Sequence, residues 1–177
     1  AVTADTVLVS CMLVNNETGV ILPVGDIARA SREVKADLFV HCDAVQGLFK
    51  TPFTVRTLGA DLVTVSGHKV YAPKGVGALY VRKGVRLHPQ TIGGGQENGI
   101  RSGTEPVPLI AAFGAAVQHG MDNREEDLAA VREVSDYLRN GLAQLPGVAL
   151  HFPQEITVPH IISVSVQGVR PEIMLHH

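Results

Sequence analysis

Charge is sparse in this sequence. Only 18% of the 177 residues are Asp, Glu, Lys or Arg and the formal net charge is −2, so a polyanion-binding surface is lacking and no direct nucleic-acid partner is expected. The 45% apolar content argues equally against disorder. No apolar run approaches the roughly 18 residues of a membrane span. The first residues also lack a basic segment followed by an apolar one, so no secretory leader is expected and the chain reads as cytoplasmic. Cysteine is scarce as well. Cys11 and Cys42 each sit in or at the end of an apolar run, where a thiol behaves as a small hydrophobe, and they do not make a disulfide framework.

What is present is enough chain to bury an ordinary core, as one domain or one domain with part of another. Both ends read as cut. Thr6 to Val14 is a strand with almost nothing before it, and Glu172 to His177 begins a helical rhythm that stops after little more than one turn.

Short apolar runs alternate with amphipathic stretches through the first half, the pattern of β-α-β units around a buried, mostly parallel sheet in an α/β fold. Thr6 to Val14 suits a central strand, and Val24, Ile27, Ala28 and Val34 recur at helical spacing behind Pro23. Leu38 to His41 is a second strand ending in Cys42 and Asp43; Leu62 to Ser66 is a third, ending in Gly67, His68 and Lys69. A fourth, Gly77 to Arg82, follows through a link too short for a helical crossover, so it is expected to pair antiparallel or to lie elsewhere in the sheet. Pro108 to Gln118 reads as an apolar helix. Asp127 to Leu145 reads as a separate amphipathic one with Leu128, Val131, Val134, Leu138, Leu142 and Leu145 on its stripe, and a boundary between Gly120 and Asp127. Val148 to Phe152 and Ile161 to Val166 look like strands of a second, smaller unit.

Polar residues cluster just past the strand ends, where open α/β sheets bind ligands. In Ser66-Gly67-His68-Lys69 a crowded lysine follows a strand directly. A Schiff base needs such a positioned amine with some fraction neutral; the same four residues also suit a solvated lysine in a turn. Asp43 could keep a pyridine nitrogen protonated, making the ring an electron sink, with Gln46 on a ring hydroxyl. Asp43 could equally cap a turn before Ala44. His41-Cys42-Asp43 lacks the further ligands that zinc requires. The Gly93 to Gly103 loop lacks the setting and the ending of a phosphate-binding P-loop, and suits a subunit interface better.

Four runs then fall into register: VNNETG at 14–19, HCDAVQ at 41–46, SGHKVYAPKGVGALY at 66–80 and GGGQENGIRSGT at 93–104. In order and spacing they resemble the cysteine desulfurases, within the class V aminotransferase superfamily of fold-type I pyridoxal-phosphate (PLP) enzymes. The nearer likeness is to the NifS-like and IscS-like branch with its selenocysteine lyases, dense from Thr3 to Val117 and weak beyond. The resemblance implies that Lys69 bonds PLP covalently, Asp43 pairs with the pyridine nitrogen, Gln46 with the ring oxygen, and Ser66 and His68 with the phosphate. Asn16 would lie near the ring hydroxyl, and Thr104 would reach the phosphate of a second subunit's cofactor, so a complete site needs a homodimer.

It further implies L-cysteine or L-selenocysteine as substrate and a sulfur-acceptor protein as partner, in iron–sulfur cluster or thio-cofactor assembly. Residues 1–122 would be part of the PLP-binding large domain, and 123–177 a linking helix with an incomplete small α+β domain. The family's nucleophilic cysteine, its substrate-carboxylate arginine and an N-terminal stacking residue have no counterpart here; Cys11, Cys42 and Arg101 are not expected to replace them. The piece alone is therefore expected to be inactive. Two departures stand out: Ala72 where the family usually has glycine, and Asn98 where it frequently has arginine. A related class V aminotransferase, and a folded remnant without catalysis, are the competing expectations.

Overall fold

The computed structural model describes residues 1–176. Its first unit is a four-stranded sheet in the order β1 (Leu8–Met12), β2 (Phe39–Asp43), β3 (Leu62–Ser66) and β4 (Gly77–Val81). The first three strands are parallel and β4 runs antiparallel to β3, as the short link requires. Helix α1 (Val24–Val34) crosses from β1 to β2, and the single turn α2 (Val55–Leu58) leads into β3. In α2 the Thr54 and Thr57 side chains cap each other's backbone N–H, and Gly59 closes it at φ 58.

Side chains alternate across the sheet. Val40, Cys42 and Val63 point into a core shared with Val24 and Ala28 of α1 and with Leu58, and burying each valine contributes about 1.5–3 kcal/mol. On the other face Leu8, Phe39 and Leu79 are 48%, 37% and 46% exposed. There Ser10 Oγ and His41 Nδ1 share a hydrogen bond of 2.7 Å, and His41 Nε2 and Thr64 Oγ1 one of 3.1 Å, a polar line across three strands. Under the opposite end of the sheet lies Asp61. Its carboxylate accepts from Val40 N at 2.7 Å, Arg32 Nη2 at 2.8 Å and Arg82 Nε at 2.6 Å.

The two helices expected between Pro108 and Leu145 are one. Helix α3 runs unbroken from Val107 to Ala143. Gly120, read from sequence as a break, is a packing notch: a Cβ there would stand 2.6 Å from the Phe49 ring. Helix-forming Arg124, Glu125 and Glu126 then carry the helix on, with Asn123 Nδ2 bonded back to His119 O at 3.0 Å. The expected division at 122/123 thus falls inside a helix. The apolar stripe is met in part: Leu128, Val131 and Leu142 are half-buried. Val134, Leu138 and Leu145 are 68%, 47% and 52% exposed, while Ser135 and Arg139 are buried. On that buried face Arg139 Nη2 donates to Thr157 Oγ1 at 3.2 Å.

The second unit is a two-stranded antiparallel sheet of β5 (Val148–Leu150) and β6 (Val164–Val166), each shorter than its apolar run, followed by α4 (Pro171–Leu175). The helix expected from Glu172 to His177 is met as far as Leu175, and His177 lies outside the described residues. This unit is tied to the first. Val158 N donates to Gly19 O at 2.9 Å, and the Val158 side chain sits in the main core beside Leu13 and Val14. Among the described residues no helix is long and apolar enough to cross a membrane.

Candidate functional site

The parallel strands bring their carboxyl ends to one edge of the sheet. The register Met12 to Asp43 to Thr64 sets the ends of β1 and β2 level, and β3 runs on two residues to Ser66. Asn16 follows β1, Asp43 closes β2 with Gln46 in the turn beyond, and Ser66 closes β3 before a 3-10 turn, Gly67–Val70, that carries His68 and Lys69. Six of the seven residues singled out from sequence thus share one edge. Thr104 does not join them. It is exposed, ahead of α3, and bonds to none of the six among the described residues.

Each turn has a local cause. Asn15 Oδ1 accepts from the N–H groups of Glu17 and Thr18 at 3.0 and 2.9 Å and from the Thr18 hydroxyl at 3.0 Å, an Asx turn that leaves the neighbouring Asn16 exposed. Asn15 was not singled out from sequence, although Asn-Asn before Thr-Gly is the signal for it. Asp43 Oδ1 accepts from Val45 N at 2.9 Å. The turn-capping role is therefore real, and it uses one carboxylate oxygen, leaving the other for a ligand. Gln46 is buried. Ser66 Oγ and His68 Nδ1 share a hydrogen bond of 2.8 Å, which orients the exposed imidazole.

Lys69 is half-buried, and its turn is braced from behind. Val70 and Ala72, on either side of Tyr71, pack on Phe113 of α3. Gly67 N donates to Val76 O at 2.9 Å, and a Cβ on Gly67 would meet Val76 Cγ1 at 2.9 Å. The residue at φ 68 in this turn is Tyr71. Ala72 is therefore free of any need for glycine, and its methyl fills the small core. Asn98 stands at φ 57, a conformation asparagine tolerates better than most residues.

Two groups that sequence did not single out stand beside Lys69. Lys50 Nζ donates to the Lys69 carbonyl at 2.7 Å; burial first, then the nearby Lys69 charge, lowers the Lys50 pKa below its ordinary value. His160 has both ring nitrogens buried without a hydrogen-bond partner among the described residues. With Phe49, Tyr71 and Arg124 these groups line a cavity of about 80 Å³. Burial, reinforced by the charges of Lys50 and Lys69, pushes the His160 pKa down to about 4 from 6.5. Between those values the unfolded chain binds a proton that the folded chain refuses, so stability should fall as pH drops from 6.5 towards 4. His160→Leu is expected to flatten that part of a plot of melting temperature against pH; an unchanged slope counts against it.

The thiols are of another kind. Both are free, and burial first, then Cys11 and Asp43, pushes the Cys42 pKa up to about 12. Burial also raises that of Cys11. Neither supplies a thiolate at neutral pH. Iodoacetamide is expected to leave Cys42 unmodified in the folded chain while labelling it after denaturation; equal labelling in both states would contradict the burial.

Strands and polar groups arranged in this way define an open α/β protein with its ligand edge at the carboxyl ends of parallel strands. The profile of the aminotransferase class-V family matches residues 1–177, and the chain belongs to that family. It is 42% identical to a protein named cysteine desulfurase IscS from Rickettsia typhi, over 99% of this chain and 43% of that protein. A solved structure titled NifS-like protein superposes with a TM-score of 0.93 at 39% identity, covering 99% of this chain and 48% of the other. A structure titled SspA in complex with cysteine is 45% identical with a TM-score of 0.63, covering 67% of this chain and 34% of that one. The chain spans less than half the length of each. The match continues past Val117, where the sequence motifs thin out.

Proposed function

We propose that this chain is part of a PLP-dependent cysteine desulfurase. The carrying observation is that Asn16, Asp43, Gln46, Ser66, His68 and Lys69 come from separate strand ends yet share one edge. The likeness to a relative named cysteine desulfurase and to a cysteine complex supports the substrate. The donor set suits PLP: an amine for its aldehyde, a carboxylate for its pyridine nitrogen, an amide for its ring oxygen, and a hydroxyl with an imidazole for its phosphate. Bound there, the cofactor would supply an electron sink for charge developing on the substrate.

The chain's own residues then do the following. Lys69 would hold the cofactor at its aldehyde and would move protons at the substrate Cα and Cβ. Asp43 would keep the pyridine nitrogen protonated; Ser66 and His68 would hold the phosphate. The substrate C–S bond breaks and an S–S bond forms to a cysteine outside this chain, so cysteine and a thiol become alanine and a persulfide. The same proposal includes a homodimer in which Thr104 serves the second subunit's site, a sulfur-acceptor protein, and a cytoplasmic setting, where unpaired thiols stay reduced. It assigns residues 1–122 to the PLP-binding part and 123–177 to the start of the smaller one. The piece alone, without that cysteine, is expected to be inactive.

The test is the complete protein supplied with L-cysteine and, separately, L-selenocysteine. Alanine released in step with protein-bound persulfide from cysteine supports the desulfurase; alanine from selenocysteine alone would move the assignment to a lyase. Alanine from neither would refute both.

A further inference from the structure

Outside the edge already described, the cluster that faces the 80 Å³ cavity stands out. Lys50, Lys69 and His160 come from three separate segments, and Lys50 makes a side-chain hydrogen bond that crosses between the two cofactor-side turns, beside the packing of Leu48 and Phe49 on Val70 and Ala72.

We propose that Lys50 is a positioning residue: its ammonium grips the Lys69 carbonyl and fixes the turn from which the Lys69 amine is presented. The proposal rests on the PLP assignment above. Its first support is connectivity. Lys50 belongs to the turn that begins at Asp43: Gly47 N donates to Ala44 O, and Lys50 N to Gly47 O, each at 2.9 Å. The bond from Lys50 Nζ to Lys69 O at 2.7 Å therefore ties the segment holding Asp43 and Gln46 to the segment holding His68 and Lys69. These two groups must keep a fixed separation to serve opposite ends of one ring.

The second support is the state of the carbonyl. A one-turn 3-10 segment leaves most of its C=O groups without a partner in the turn. Here Ala72 N takes the Gly67 carbonyl at 3.0 Å, and Lys50 takes that of Lys69. The third support is strain. The chain turns into Lys50 through Phe49 at φ 64, a costly conformation for an aromatic residue. The Phe49 ring is seated over the Gly120 notch. A strained residue locked by packing beside a proposed reacting group fits a part that sets geometry. Burial and the neighbouring Lys69 lower the Lys50 pKa, so the charge is held at a cost that a spacer would not incur.

The experiment uses the complete protein, freed of cofactor and mixed with PLP. It follows the visible absorbance of lysine-bound pyridoxal and the visible circular dichroism, which reports how rigidly the ring is held. Lys50→Met is expected to bond PLP on the order of tenfold more slowly with weakened dichroism, since small misplacements of reacting groups cost that much or more. Lys50→Arg, which keeps a cationic donor, is expected to recover most of the rate. Lys50→Gln serves if the methionine variant fails to fold, and is expected to be slowed as well. A folded Lys50→Met or Lys50→Gln protein with wild-type rate and dichroism overturns the proposal alone. Wild-type protein that never bonds PLP overturns it together with the PLP assignment.

Discussion

Lys69→Ala is expected to lower alanine release from L-cysteine by the complete protein about 10²–10⁴-fold, the usual cost of losing a positioned proton-transfer group. The expectation follows from position. Lys69 is half-buried at the carboxyl edge of the sheet, on a turn braced by Phe113 and by the Val76 carbonyl. Lys74, five residues on, is exposed and serves as the control, with Lys74→Ala expected to stay within about twofold of wild type. Steady-state alanine assays decide it. Equal losses from both variants would mean that general basicity of the loop, and not the placement of one amine, carries the chemistry.

The second large effect is on stability. Asp61→Ala should destabilise the fold by about 1–3 kcal/mol, the cost of leaving a buried backbone donor unsatisfied, since the arginines it releases can reach water. The Asp61 side chain is 2% exposed and faces Arg32, itself 31% exposed, and Arg82. Its loss strands the buried Val40 N–H and leaves the Arg32 guanidinium with only the Gly59 carbonyl, at 2.7 Å. Burial by itself raises the Asp61 pKa, but the Val40 and Arg82 hydrogen bonds and the two arginine charges outweigh it and hold the value below 3.8. The unfolded chain therefore takes up this proton first as acid is added. The stabilisation is present above 3.8 and is lost as pH falls through the lower folded value. Urea unfolding across acid pH measures both, and Asp61→Asn should weaken the acid dependence. A loss under about 1 kcal/mol for Asp61→Ala would show the cluster to be ornamental.

How much of this was legible beforehand depended on distance along the chain. β3 was read as Leu62 to Ser66 and found there, because a short β-branched run bounded by Gly59 and Gly67 carries its own signals. The antiparallel β4 followed from a link too short to cross over. The site residues could be placed at one edge because each stands just past a strand, a local feature. The continuity of α3 was not legible. Gly120 reads as a break unless Phe49 is known to fill its notch. The burial of Ser135 and Arg139 was not legible either, since Arg139 meets Thr157, 18 residues beyond it. Lys50 escaped notice for the same reason, since its partner is a backbone carbonyl 19 residues away and no side-chain pattern announces it. The role the resemblance gives Thr104 needs a second chain, so nothing within one chain draws it to the edge.

The most direct measurement is borohydride reduction of the complete protein with PLP, followed by peptide mass mapping of the fixed pyridoxyl group. The account expects the label on Lys69. A label on Lys35, Lys50, Lys74 or Lys83 instead, or no label on this chain, would contradict it.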